Sequence, residues 1–373
     1  MQFIPFAVVP AILFKNPDAP FVTGIVAVAT GSALLVEILL SSLRRAPVTA
    51  PIVQGETANG DDDGYARGAR RVSIGALAVL ALAAATGYGS YGIGIGTEQV
   101  SPLQPLLTPL RPWSFIAVGL YLYGWREGKL SRKNAILWIV AIAVGELLLA
   151  LSQAIIAPGA GALFSISAAC VLMGLTRART LIAAMLIGVL VWPTIADIRN
   201  QIRLEQGVDA GYARDFEAGE RLRMDRLMGL ANQFDAPIDI GQPSATDTVR
   251  YGLVPRLLDP DRPPLSTGAL LNVMMGGTLN SSYTFMLIGN IWIFDGYLGL
   301  VAYFVIVALL VAWLYSRRMG PAKSSVLVLA IQYLLWMGGT YPESLIGFFQ
   351  ALVSFCLAWL VFASASFKRG STI

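Results

Sequence analysis

Ten apolar runs govern what this chain can fold into. They fall at about 2–14, 20–43, 72–96, 112–124, 135–157, 159–176, 180–196, 286–315, 324–339 and 345–366. A bilayer core is about 30 Å thick, and a helix needs about 20 apolar residues to cross it. Most of the runs approach that length; the first and fourth are short and fit a tilted helix or a locally thinned bilayer. Charge is correspondingly scarce: 13% of the residues are Asp, Glu, Lys or Arg, against about 25% in soluble domains. The expected fold class is all-α, a polytopic transmembrane helical protein of about ten spans. Met1–Phe14 lacks the charged start and the small-residue cleavage site of a signal peptide and reads as the first span.

The basic residues orient these spans. With the N-terminus inside and the helices alternating, the inside loops hold Arg44, Arg45, Arg67, Arg70, Arg71, Arg126, Lys129, Arg132, Lys133, Arg177, Arg179, Arg317, Arg318, Lys323, Lys368 and Arg369. The short outside loops hold Lys15 and Arg111. The positive-inside rule favours this N-in, C-in arrangement, because one misplaced span would invert every later loop. Three parts follow: N-terminal helices over 1–196, a large external loop over 197–285, and C-terminal helices over 286–373. Within the first part, residues 46–71 read as a cytoplasmic linker. Its Pro, Gly and acidic run Asp61-Asp62-Asp63 suggest a flexible connector without chemistry.

The chain has no histidine. That removes a Ser-His-Asp triad, an HExxH zinc site and a His general base. Cys170 and Cys356 lie in apolar runs and suggest neither a disulfide framework nor a metal site. Chemistry must come from Arg, carboxylates, Tyr and backbone. No Gly-rich phosphate loop and no dense acidic metal cluster is visible, so neither a cofactor nor a metal is expected.

The external loop holds nine basic residues, and all are Arg: Arg199, Arg203, Arg214, Arg221, Arg223, Arg226, Arg250, Arg256 and Arg262. Solvation alone does not distinguish Arg from Lys, whereas gripping phosphate or carboxylate with a planar fork favours Arg. Local pairing with the loop's twelve acidic residues is the plainer explanation. Asp197, Arg199 and Arg203 follow the seventh span. The two arginines share a face if the helix continues, where they suit a lipid diphosphate or snorkel to the interface. Tyr212–Gln233 reads as an amphipathic interfacial helix, with Phe216, Met224, Leu227, Met228 and Ala231 on one face and Arg221, Asp225 and Arg226 elsewhere. In Val254–Pro264, prolines fix a rigid extended turn that carries Arg256, Asp259 and Arg262. Ser281, Ser282, Tyr283 and Thr284 then form a polar cluster ahead of the eighth span. The run from Met286 to Tyr315 would reach roughly 45 Å as one helix. Asp295-Gly296 offers a break, with Met286–Phe294 re-entrant or interfacial and Asn290 and Asp295 beside a polar site. Glu343, in the last short external loop, is placed to contact sugar hydroxyls or simply to sit in a solvated turn.

The stretch Val254–Pro263 resembles the P-R-x-x-x-P-D-K-P signature of bacterial O-antigen and exopolysaccharide repeat-unit polymerases (Wzy type). Ser281–Thr284 is similar to that family's Ser/Thr cluster, and Gly289–Gly299 to its glycine-rich segment opening a span. Ile198–Asn200 is similar to the Arg-bearing start of the family's large loop. Arg262 stands where the family usually has Lys, Asn290 where it often has Glu, and Asp295 where it often has Asn or Phe. The motif-bearing match covers roughly 195–300. The resemblance implies a fold related to lipid-dependent glycosyltransferases in the bacterial cytoplasmic (inner) membrane. It implies joining of undecaprenyl-diphosphate-linked oligosaccharide units on the outer face, beside a flippase and a chain-length regulator, with no role for nucleic acid. On that reading Arg256 and Arg199 grip the diphosphate, with Arg203 and Arg250 assisting. A base, if one is needed, is Asp197, Asp259 or Asp295. Arg262, Ser281, Tyr283, Asn290 and Glu343 contact substrate.

Two other readings stay open. Glu37 and Glu146 lie within spans, where carboxylates often mark ion paths, which would suit a secondary transporter. Asp18, in the first external loop, would suit a polyprenyl-phosphate-sugar-dependent glycosyltransferase, although KNPD is also a common turn. An O-antigen ligase is disfavoured, since ligases of that kind generally use a His.

Overall fold

The computed structural model describes residues 4–43, 62–86, 103–153, 156–179, 182, 194, 197–198, 201, 223–254, 258–259, 262, 267–277, 283–315 and 319–366. Every regular element among them is helical: α1 (Val9–Leu13), α2 (Ala19–Leu43), α3 (Asp63–Ala85), α4 (Gln104–Leu107), α5 (Trp113–Arg126), α6 (Arg132–Ser152), α7 (Ile156–Leu172), α8 (Met224–Gly229), α9 (Ala245–Leu253), α10 (Thr267–Met274), α11 (Met286–Leu314), α12 (Pro321–Ala330) and α13 (Glu343–Ser366). Five of them, α2, α3, α6, α11 and α13, are long and apolar enough to cross a bilayer, and 158–172 and 321–335 are shorter apolar helices. The chain is a multi-pass membrane protein. The proposed seventh span, 180–196, lies almost wholly outside the described residues.

Helix α3 begins earlier than its hydropathy suggests. Asp62 caps it, accepting from the backbone N–H groups of Gly64 and Tyr65 at 3.1 and 3.2 Å. Asp62 in turn donates its own N–H to the Lys129 carbonyl at 2.9 Å. The expected connector therefore ends at Asp62, and Arg67, Arg70 and Arg71 ride on a helix. An Asp N-cap stabilises the first turn by about 1 kcal/mol. The basic residues made this stretch look like loop, but they are tolerated because a long helix can carry them beyond the bilayer core.

Small residues bring α5 and α12 together. A side chain at Gly119 would strike the backbone of Ser325. Ser324 and Ser325 donate to the carbonyls of Gly119 and Ile116 at 2.8 and 3.0 Å, joining the two helices by hydrogen bonds. Such close approach is how helices associate where lipid removes the hydrophobic driving force. Elsewhere α2 packs along α11, with Phe21 edge-on to Trp292 at 4.7 Å, and α13 packs along α3.

Helix α11 is broken where the sequence suggests. Gly296 has φ 63° and ψ −161°, a conformation essentially confined to glycine. Every residue from Met286 to Phe294 is buried in protein, whereas Leu298, Ile306 and Trp313 are exposed at 86%, 65% and 59%. One half of α11 is core and the other presents an apolar outer face. At the break the Ile293 carbonyl accepts from the Ile238 N–H of the large loop at 2.8 Å. The loop thus satisfies backbone that the broken helix leaves open.

Candidate functional site

The second half of the large loop is mounted on the N-terminal turns of α13. Gly252 of α9 sits against Phe349, and Gln350 donates to the Tyr251 carbonyl at 3.1 Å. Arg262 donates to the same carbonyl at 2.6 Å and lies over the Tyr251 ring at 4.6 Å. Arg250 forms an ion pair with Asp259 at 2.6 Å. The arginine is 56% exposed and the carboxylate side chain 6%. The hydrogen bond with Asp259, then its charge, hold the Arg250 guanidinium above its ordinary range. The second Asp259 oxygen is buried without a partner. Three candidates, Arg250, Asp259 and Arg262, thus gather around Tyr251.

A second group lies on the same face of α13. Glu343 and Gln350 are seven residues apart, so they are two turns apart on one side of the helix. Glu343 accepts from the backbone N–H of Thr267, the first residue of α10. Its other oxygen, and the Thr267 hydroxyl, are buried without partners. A carboxylate at a helix N-terminus is electrostatically favoured. Tyr283 donates its N–H to the Gly268 carbonyl at 2.8 Å, and burial pushes its phenol up to about 12. Tyr341 is also raised, by burial first and then by the Asp295 carboxylate beside it. Glu343, Tyr283 and Asp295 are therefore linked through Thr267, Gly268 and Tyr341.

Asn290 has a different place. It is fully buried, accepts from the Phe285 N–H at 3.0 Å and donates to the Thr284 hydroxyl at 3.1 Å. That hydroxyl accepts from the Met286 N–H at 3.1 Å. Asn290 thus fixes the start of α11, which the left-handed Met286 (φ 62°) would otherwise strain. Asp197 is exposed. Arg199, Arg203, Arg256 and Ser281 lie outside the described residues.

The first half of the described loop docks elsewhere, on the turn between α1 and α2. The expected amphipathic helix is α8 followed by a tighter turn, Leu230–Gln233; its residues 212–222 lie outside the described set. Met228 and Ala231 are buried as expected, but so is Asp225, which the amphipathic pattern places off the apolar face. Arg223 grips Asp225 with two hydrogen bonds of 2.8 Å, and Asn16 adds a third at 3.0 Å. These partners make burial of the carboxylate tolerable. Asp18 accepts from Asn232 at 3.0 Å, so this residue of the KNPD turn is a docking point for the loop.

Glu146 is buried, and both its oxygens are taken. Arg111 reaches them with two bonds of 2.6 Å, and Ser114 adds another. Glu37 is exposed. Sequence reading singled out neither Thr267, Tyr341, Tyr251 nor Gln350. Their only local signals were a Ser-Thr-Gly helix start at Ser266–Gly268 and a Tyr-Pro turn at Tyr341–Pro342.

No protein-family model, curated protein or solved structure matches this chain. The resemblance to repeat-unit polymerases rests on the residues quoted for it.

Proposed function

We propose that this protein is a glycosyltransferase of the bacterial inner membrane that polymerises undecaprenyl-diphosphate-linked oligosaccharide units on its outer face. The observation that carries the reading is the cluster of Arg250, Asp259 and Arg262 around Tyr251, held on the first turns of α13 by Gln350. The sequence Val254–Pro263 supplies the family resemblance, and the seat on α13 supplies rigidity, which lowers the entropic cost of positioning charge. In the proposed reaction a hydroxyl of the incoming unit attacks the anomeric carbon of the growing chain. The C–O bond to undecaprenyl diphosphate breaks, and the diphosphate leaves with the bonding pair. Arg256 and Arg199 stabilise the charge that develops there. Asp259, Asp295 and Asp197 are the candidate acceptors of the hydroxyl proton, and no metal is assigned. Glu343 and Tyr283 border the acceptor sugar.

Purified protein with lipid-linked oligosaccharide tests this directly. Wild type should yield a ladder of longer lipid-linked chains, while Arg256→Ala and Arg199→Ala should lose it, by about 100-fold or more in rate. Arg256→Lys should fail as well if two-point contact matters. Wild-type ladders from both alanine variants would sink the assignment. The transport reading gains nothing from Glu146, whose oxygens are already engaged.

A further inference from the structure

At the end of the bundle remote from the large loop, Arg126 has no carboxylate partner among the described residues. Arg126 closes α5 and is half-buried where the ends of α7 and α11 meet the start of α12. Its nearest polar neighbours are two thioethers, Met173 at 3.9 Å and Met319 at 3.8 Å. The Tyr315 ring lies 6.0 Å away, held in place by its hydroxyl, which donates to the Leu172 carbonyl at 3.0 Å. Among the described residues no carboxylate pairs with Arg126 or with the nearby Lys129. Lys129 instead faces the rings of Tyr65 and Tyr123, at 5.3 and 5.9 Å. Lys323, in the first turn of α12, lies 4.5 Å over Trp313.

Sulfur is a weak acceptor, and a guanidinium has five N–H donors. No Arg126 nitrogen is among the buried, unpartnered atoms, so its remaining donors stay open to an incoming anion. The buried carboxylates elsewhere, Glu146, Asp225 and Asp259, are each held by an Arg, with two bonds at the first two and one at the third, whereas Arg126 has no carboxylate partner among the described residues. Trp313 and Tyr315 are exposed at 59% and 38%, as aromatic side chains are at the headgroup level of a bilayer. A phosphate there would meet a planar fork beside the Tyr315 ring and an apolar wall for its acyl chains.

We infer that Arg126, beside the Tyr315 ring, is the seat of an anionic phospholipid headgroup. The contact is with the phosphodiester, and the acyl chains lie along the apolar outer face of α11. This seat is independent of the reaction proposed for the opposite end.

Thermal stability and native mass spectrometry of the full chain in detergent test the seat. Phosphatidylglycerol, phosphatidylcholine and inorganic phosphate are titrated separately. Wild type should bind phosphatidylglycerol at least tenfold more tightly than phosphatidylcholine and should rise in Tm with it; inorganic phosphate should give no comparable rise. Arg126→Gln should remove most of that preference, and Lys133→Gln, an exposed residue carrying the same charge on α6, should change it less than twofold. Equal losses in both variants would mean diffuse surface attraction, worth roughly fivefold per charge, and would overturn the seat. So would a wild type that does not distinguish the two lipids, whether or not Arg126→Gln folds. Binding of inorganic phosphate as strong as that of the lipid would also overturn it.

Discussion

At the residue scale, the buried carboxylates divide by how their partners reach them. Asp225 is pushed up by burial, but the hydrogen bonds from Arg223 and Asn16 and the Arg223 charge outweigh this and hold it below its ordinary range. A carboxyl lowered in the folded state contributes stability above its unfolded pKa, about 3.9, and loses it as pH falls through the depressed value. The docked segment 223–233 should therefore stay protected at pH 5 and above, and open only below about pH 4. Asp225→Asn should expose it at neutral pH. Loss of a charged hydrogen bond, about 1.5–3 kcal/mol, should speed amide exchange there about tenfold or more, read by mass spectrometry. Glu146→Gln removes the carboxylate that the 21%-exposed Arg111 grips, and loss of such charged hydrogen bonds costs about 1.5–3 kcal/mol. Its Tm in detergent should fall by several degrees, while any ion flux in proteoliposomes should stay at the level of wild type. Neither pairing was legible in the sequence. Asn16 and Asp225 are 209 residues apart and Arg111 and Glu146 are 35 apart, so nothing local joins them. The cluster around Tyr251 was half legible: proline stiffness marked Asp259 and Arg262, but the Gln350 that anchors their mount lies inside an apolar run.

At the element scale, hydropathy located the helices well because lipid demands length. It erred where a helix leaves the bilayer, as at the charged first turns of α3, since caps and not apolarity set that boundary. The division of α11 was legible for two reasons together: the run is too long for one crossing, and Asp295-Gly296 offers a residue able to adopt positive φ. A Cβ at Gly296 would meet nothing within 4 Å, so a substitution there is opposed by backbone conformation alone. Gly296→Ala should therefore cost about 1–3 kcal/mol and lower the Tm. It should also loosen the Ile238–Ile293 hydrogen bond, visible as faster exchange at Ile238. An unchanged Tm would mean that the halves of α11 rotate freely about this point.

At the scale of the whole molecule, contacts sort the loops into two groups. Arg126, Met173, Tyr315 and Met319 meet at one end. The Asn16–Asp18 turn meets the large loop at the other, where the Leu287 N–H also donates to the Met337 carbonyl at 2.9 Å. From the distribution of basic residues we propose that the first end faces the cytoplasm. In a background with Cys170 and Cys356 replaced, a cysteine at Lys133 should resist a membrane-impermeant maleimide in intact cells, and one at Asp239 should react. Reversed labelling would invert the whole topology.

The pairing of α2 with α11 also dictates how the chain must be assembled. The two helices are among the most extensive neighbours in the bundle, yet Leu43 and Met286 are separated by most of the sequence. Synthesis proceeds at about 5–20 residues per second, so α2 would wait on the order of ten to fifty seconds for its partner to emerge. During that interval its inward face, with Val22, Ile25, Val26 and Ala29, lacks α11 and must be covered by lipid, by the insertion machinery or by earlier segments such as residues 4–13. The Met286–Phe294 half of α11 is too short to hold a bilayer position by itself. It can settle only once α2 is already standing, which makes the earliest long span the template for one of the last.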